Sequence, residues 1–271
     1  METKPKAKTQ KPRSKGVSAM LVVIGCAIVA HLFFYLVCGA DSNFDDKGHP
    51  VDGNIFGTLY QGGFVIPIVM TLLLTVLTLS VERLFALNKA SGKGNVAKFV
   101  MNAKAKLDAG DIAGAKKLCD DQKGSVANIL RAGLVRYEDV ENTPNLNNDE
   151  KAEIIQKEIE EATTLELPYL EQNLNVIATI SSLGTLFGLL GTVLGMIRSF
   201  AALATEGAPD SIALSLGISE ALMNTAMGIG TGAAAIIAYG YFSARVQTIT
   251  NAVDEVGFAI GQSFVKKHSG K

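Results

Sequence analysis

An all-α membrane protein with four transmembrane helices is what this sequence predicts. Three observations carry that expectation. Hydrophobic residues make up 48% of the 271-residue chain and charged residues only 19%, too apolar a balance for an ordinary soluble domain. Four apolar runs each reach the roughly 20 residues that a helix needs to cross a bilayer: Val17–Cys38, Phe64–Leu84, Val176–Ala202 and Ser211–Tyr241. Beyond the last run, Val246, Ile249, Val253, Val256 and Ile260 recur at steps of three and four, the period of an amphipathic helix.

The first run follows a basic leader (Lys4, Lys6, Lys8, Lys11, Arg13, Lys15), and Cys38-Gly39-Ala40 resembles a signal-peptide cleavage site. Its apolar core exceeds the usual limit of about 15 residues for a signal peptide. It is therefore read as a retained membrane helix. The fourth run is longer than a bilayer needs, so its helix should continue into water.

Orientation follows from Lys and Arg, which favour the cytoplasmic side. The leader 1–16 is placed in the cytoplasm and the first helix at 17–38. Loop 39–63 carries Asp41, Asp45, Asp46 and Asp52 against Lys47, so it is placed in the periplasm. At the end of the span 64–84 and beyond it, Arg83, Lys89, Lys93 and Lys98 bring the chain back inside. Residues 85–175 form a cytoplasmic helical region. Spans 176–202 and 211–241 make a hairpin with a short outer loop bearing Glu206 and Asp210. Residues 242–271 form a cytoplasmic amphipathic tail, which packs internally or contacts another subunit. Both termini are thus expected in the cytoplasm.

Within the helical region, Asp111 is a candidate N-cap for Ile112–Asp120 and Ser125 for Val126–Tyr137. Asp149 and Glu150 open an acidic helix running to about Glu166. Pro168 is expected to kink or break the approach to the third span. Arg83 is expected to anchor the membrane interface, with an ion pair to Glu82 or another subunit as a second role.

Several function classes are poorly supported. The net charge of −1 gives no reason to expect nucleic acid. Cys26, Cys38 and Cys119 show no metal-ligand spacing, and His31, His49 and His268 are too scattered for a metal site. There is no phosphate loop, nucleophile elbow or pair of catalytic carboxylates. No enzyme activity, metal or cofactor is expected. Gly228-Ile229-Gly230-Thr231-Gly232 lies inside a span without a Lys, so it reads as close helix packing.

Glu220 is the exception to the apolar pattern. It sits in Gly-Ile-Ser-Glu-Ala-Leu-Met-Asn-Thr-Ala, Gly217–Ala226. A charge at that depth costs at least about 2.5 kcal/mol and is tolerated facing a bundle interior, a partner or water. The alternatives are a pore- or partner-facing acid and a structural ion pair, such as one with Arg198 of a neighbouring subunit. The third span carries Gly184, Thr185, Gly188, Gly191, Thr192 and Gly195. Two Gly- and Thr-rich spans with one buried acid suggest an ion path.

Three stretches resemble the ExbB/TolQ/MotA family of proton-channel subunits, most closely its ExbB branch. They are Leu183-Gly184-Thr185-Leu186-Phe187-Gly188-Leu189-Leu190-Gly191-Thr192-Val193-Leu194-Gly195-Met196, then Gly217-Ile218-Ser219-Glu220-Ala221-Leu222 through Thr225-Ala226-Met227-Gly228, and Lys117-Leu118-Cys119 with Asn128-Ile129-Leu130-Arg131-Ala132-Gly133-Leu134. Pro67 and Val81-Glu82-Arg83 fit the first core span. The resemblance covers about Phe64 to Ala244. It departs at Ala234, where the family commonly has Pro, and in the extra N-terminal helix.

The resemblance implies a homopentamer in the bacterial inner membrane. It would surround single-span partners of the ExbD/TolR type that supply a membrane Asp, with a TonB-like protein coupled to outer-membrane transport. A TolQ-like or gliding-motor stator is the alternative within the class. Thr192 and Thr225 match its channel-facing threonines; the other reading is back-bonding to their own helix carbonyls. With Glu220 they form the expected proton pathway. Thr185, Ser215 and Ser219 are secondary pore candidates. Gly184, Gly188, Gly191, Gly195 and Gly228 are assigned to helix packing. Two rivals are a non-conducting scaffold, which has little reason to carry Glu220, and a secondary transporter, whose matching halves are not visible here.

Overall fold

The computed structural model describes residues 18–268 apart from 47, 52, 145 and 206–210. The basic leader, Val17, Glu206 and Asp210 lie outside the described residues. Among the described residues there is no strand, only one bridge between Phe44 and Pro50. Four helices there are long and apolar enough to cross a membrane.

The first, α1 (Ala19–Phe33), ends in a π-helical turn at Phe34–Cys38 and runs along α3 (Val65–Ser91). A small lobe links them. Asn43 donates to the carbonyls of Val37 at 2.6 Å and Cys38 at 3.1 Å, satisfying the end of the first helix. Asn54 caps α2 (Ile55–Gln61) by accepting from Phe56 and Gly57. The Phe34 and Tyr60 rings stack at 4.9 Å, fixing α2 against the end of α1.

The hairpin consists of α8 (Leu174–Thr205) and α9 (Ser211–His268). The 58 residues of α9 make a rod about 87 Å long, well beyond the roughly 30 Å of a hydrocarbon core. Its far half joins α4 (Val96–Asp108), α5 (Ile112–Gln122), α6 (Gly124–Glu141) and α7 (Asn148–Glu171) in a helical bundle. Val246, Ile249, Val253, Val256 and Ile260 are all buried there, with Phe99, Leu107, Leu134 and Ile155. The apolar stripe of the tail therefore packs within the chain. At its end, Ser263 donates to the Leu107 carbonyl at 2.8 Å.

Asp111 caps α5, accepting from Gly114 at 2.8 Å. A hydrogen bond from Lys106, and after it the one from Gly114, hold its carboxyl below the usual range. Two local expectations need correction. Ser125 is not a cap; α6 starts at Gly124, and the Ser125 hydroxyl donates to Glu166 at 2.8 Å. Pro168 does not break α7, which runs on to Glu171 from a capping box of Asn147 and Glu150. The break falls at Gln172–Asn173, where Asn173 takes a left-handed φ of 63°, a conformation Asn tolerates better than most residues. Arg83 does not reach an exposed position but is fully buried, and it takes the second role expected of it, the ion pair with Glu82. Its Nε donates to Glu82 at 2.6 Å and its Nη1 to the Tyr169 carbonyl at 3.2 Å, which joins α3 to α7. A buried guanidinium needs such partners to offset its desolvation.

Candidate ion-path site

The site is built on a seam of small residues. Gly184, Gly188, Gly191 and Gly195 follow one another at steps of four, three and four, which places them on one face of α8. They meet Thr231, Gly228, Asn224 and Ala221 of α9. A Cβ on Gly188 would lie 2.9 Å from the Gly228 Cα, and one on Gly195 would lie 3.0 Å from the Ala221 Cβ. At Gly188 something must shift to admit a side chain, and at Gly195 the neighbour must give by a few tenths of an ångström. Such contact is how membrane helices gain packing energy without a hydrophobic drive.

That approach lets short hydroxyls reach across the seam. Thr192 and Thr225, both half-buried, touch through their hydroxyls. The Thr192 Oγ1 also lies 3.2 Å from the carbonyls of Gly188 and Ala221. The Thr225 Oγ1 lies 3.2 Å from the Ala221 carbonyl and 3.5 Å from that of Gly188. Each hydroxyl has one proton to donate. When one donates to the other, the second donates to a carbonyl, and both are satisfied. Back-bonding and the cross-helix contact are thus present together.

Towards the loop end of the hairpin, Arg198 Nη1 donates to Glu220 Oε1 at 2.7 Å. The Glu220 side chain is 14% exposed and that of Arg198 53%. Both belong to one chain, so the pair needs no arginine from a neighbour, in contrast to the sequence-based alternative. The guanidinium reaches outward while the carboxylate stays covered, as expected of a long charged side chain near a span end.

The turn between α2 and α3 closes over this pair. Gly63 has φ +69°, and a Cβ there would lie 3.1 Å from Glu220 Oε1 and 3.4 Å from Arg198 Nη1. Next to it, the Gly62 carbonyl accepts from Asn224 Nδ2 at 3.0 Å. Asn224 is 1% exposed, and its Oδ1 has no hydrogen-bond partner. Sequence reasoning passed over Asn224, Gly62 and Gly63. The signal for Asn224 was present: a primary amide one helical turn after the acid, in a stretch where burying polar groups is costly.

The secondary candidates do not join this cluster. Thr185 is exposed and donates to the Ser181 carbonyl at 3.3 Å. Ser215 is exposed and Ser219 half-buried beside Glu220. His31 is exposed, and its ring nitrogen lies 2.8 Å from the Ala27 carbonyl. Among the described residues, no three His, Cys, Asp or Glu side chains converge as metal ligands would.

With this geometry in place, the chain can be set beside known proteins. The MotA/TolQ/ExbB proton channel family matches residues 121–255. A "Tol-Pal system protein TolQ" of Pseudomonas aeruginosa is 34% identical over 129 residues, 48% of this chain and 56% of that protein. The "Tol-Pal system protein TolQ" of Haemophilus influenzae is 35% identical over 98 residues, 35% of this chain and 43% of its own. The "Biopolymer transport protein ExbB" of Aquifex aeolicus is 30% identical over 118 residues, 44% of this chain and 72% of that protein. The match thus spans little more than half of the first relative and less than half of the second. The matched segment contains the seam, the threonine pair and the Glu220–Arg198 pair, and by these matches the chain belongs to the MotA/TolQ/ExbB proton channel family.

Proposed function

We propose that this chain forms the wall of a proton channel in the stator of an ion-driven motor of the bacterial inner membrane. One observation carries the reading. The covered carboxylate of Glu220, paired with Arg198, stands on the same α8–α9 hairpin as the touching hydroxyls of Thr192 and Thr225. An acid and hydroxyls in a largely apolar hairpin lower the cost of holding water or a proton there. None of the four spans contains an Asp. The family resemblance implies that a single-span partner of the ExbD/TolR type supplies one.

The exposed faces of the hairpin leave room for an assembly. Leu186, Leu189, Val193, Ile197 and Phe200 of α8 are uncovered in the single chain, and lipid or neighbouring copies must meet them. A homopentamer around the partner is the reading adopted. ExbB-like energisation, through a TonB-like protein, of transport across the outer membrane is the first choice. Relatives named TolQ and ExbB both match, so a TolQ-like stator fits them equally. Both termini are placed in the cytoplasm; reporter fusions at residue 1, in loop 41–60 and at residue 271 test this, and an active periplasmic reporter at either end contradicts it.

Proton flux into liposomes holding the chain with its single-span partner is the deciding measurement. The wild type should conduct. A fully assembled complex that passes no protons would favour the scaffold reading instead. Native mass spectrometry in detergent should give an oligomer, and a stable monomer would refute the assembly.

A further inference from the structure

The turn that closes over the ion pair has no part in the family match, which begins at residue 121. It nonetheless meets the site at two places. Gly63 can lie flat against Glu220 and Arg198 because it lacks a Cβ and holds φ +69°, a conformation costly for other residues. Asn224, four residues after Glu220 on α9, holds the preceding carbonyl at 3.0 Å. The acid and the amide lie one helical turn apart, so the turn is tied to the same stretch of α9 that carries the acid. On its other side the turn continues α2, which is held to the first helix by the Phe34–Tyr60 stack.

We infer that the Gly62–Gly63 turn, held by Asn224, is a clamp that keeps the Glu220 carboxylate on Arg198. Asn224 and Gly63 are positioning residues; they act on the pair and not on the transported ion. The N-terminal lobe thereby sets the geometry of the ion path from outside the helices that line it. This rests on Glu220 belonging to that path, as proposed above. The clamp itself is tested without measuring conduction, so failure of either idea is separable from failure of the other.

Among the described residues, two Arg–Glu ion pairs occur, Arg198–Glu220 and Arg83–Glu82. The full-length protein, labelled with 13C at Glu side chains and 15N at Arg side chains and reconstituted in lipid, can report both by solid-state NMR. Carbon–nitrogen dipolar dephasing reads each contact, and Arg198→Lys assigns the two signals. Arg83–Glu82 is the internal reference.

Gly63→Ala should lower the paired-to-unpaired ratio at Glu220 about fivefold, the ratio carried by one net hydrogen bond, with the Arg83–Glu82 signal unchanged. Asn224→Ala should do the same through loss of its donor. Gly53→Ala is the control for backbone strain, because Gly53 has a comparable φ of +79° with nothing near its missing Cβ; it should leave both contacts intact. Retention of the Glu220–Arg198 contact in both Gly63→Ala and Asn224→Ala would overturn the clamp. So would joint loss of both contacts in Gly63→Ala, which marks general collapse rather than release of one pair, or an equal loss in Gly53→Ala.

Discussion

Arg198 donates to Glu220 across the α8–α9 hairpin at 2.7 Å, from 22 residues away in the same chain. The acid that stands out in the sequence is thus paired by its own polypeptide. Its partner is half exposed and its own side chain is mostly covered.

The half-exposed arginine limits the strength of the pair, so the Arg198–Glu220 coupling should be about 1 kcal/mol. A double-mutant cycle of Arg198→Gln and Glu220→Gln, read by chemical unfolding in detergent, measures it. A coupling below about 0.3 kcal/mol, the usual scatter of additive sites, would make the contact energetically silent. In liposomes, Glu220→Gln should leave assembly intact and lower proton flux. Wild-type flux from Glu220→Gln would remove the charge from any proton-handling role.

The hydroxyls of Thr192 and Thr225 satisfy each other, so their effects should not add. Thr192→Val and Thr225→Val conserve shape and remove one hydroxyl each. Each single change should reduce proton flux more than matched changes at lipid-facing positions, and the double variant should be little worse than the poorer single one. Full flux from the double variant, with the oligomer intact, would show that this pair only packs helices.

The seam makes a sharp distinction between glycines. A Cβ on Gly188 would stand 2.9 Å from a backbone atom of α9, whereas Gly230 has nothing within 4 Å. Gly188→Ala should destabilise the folded chain by about 1–3 kcal/mol through overpacking. Gly230→Ala should be neutral or stabilising by up to about 1 kcal/mol from helix propensity. Thermal unfolding in detergent compares the two. Equal melting temperatures would argue that the helices do not approach so closely.

Cys119 lies in the bundle outside the membrane spans and is buried. Burial first, and the charge of Asp120 second, push its thiol up to about 12. A raised value means less thiolate: at pH 8 about one molecule in ten thousand is reactive. Iodoacetamide should leave Cys119 unmodified in the folded protein and alkylate it fully after denaturation. Rapid labelling of the native chain, read by peptide mass spectrometry, would contradict the packing of α5 on α6.

Much of this molecule was determined locally. Four apolar runs are enough to demand four helices, because each must satisfy its own backbone in lipid. The Asp111 cap and the three-and-four spacing from Val246 to Ile260 likewise act through a single segment. The family motifs on α8 and α9 also lie in continuous stretches, so the threonines, the glycines and Glu220 were all visible as candidates.

What only the tertiary structure decided involves residues far apart in the chain. Ser125 bonds Glu166, 41 residues on, instead of capping its own helix. Arg83 reaches the Tyr169 carbonyl across 86 residues and lies buried. Asn224 holds Gly62 across 162 residues. The tail stripe could have faced another subunit until α4, α6 and α7 were seen to cover it. Propensity and hydropathy act within a few residues of the chain and place helices. Hydrogen bonds and ion pairs between helices depend on which faces meet, and that is settled by the packing of the whole chain.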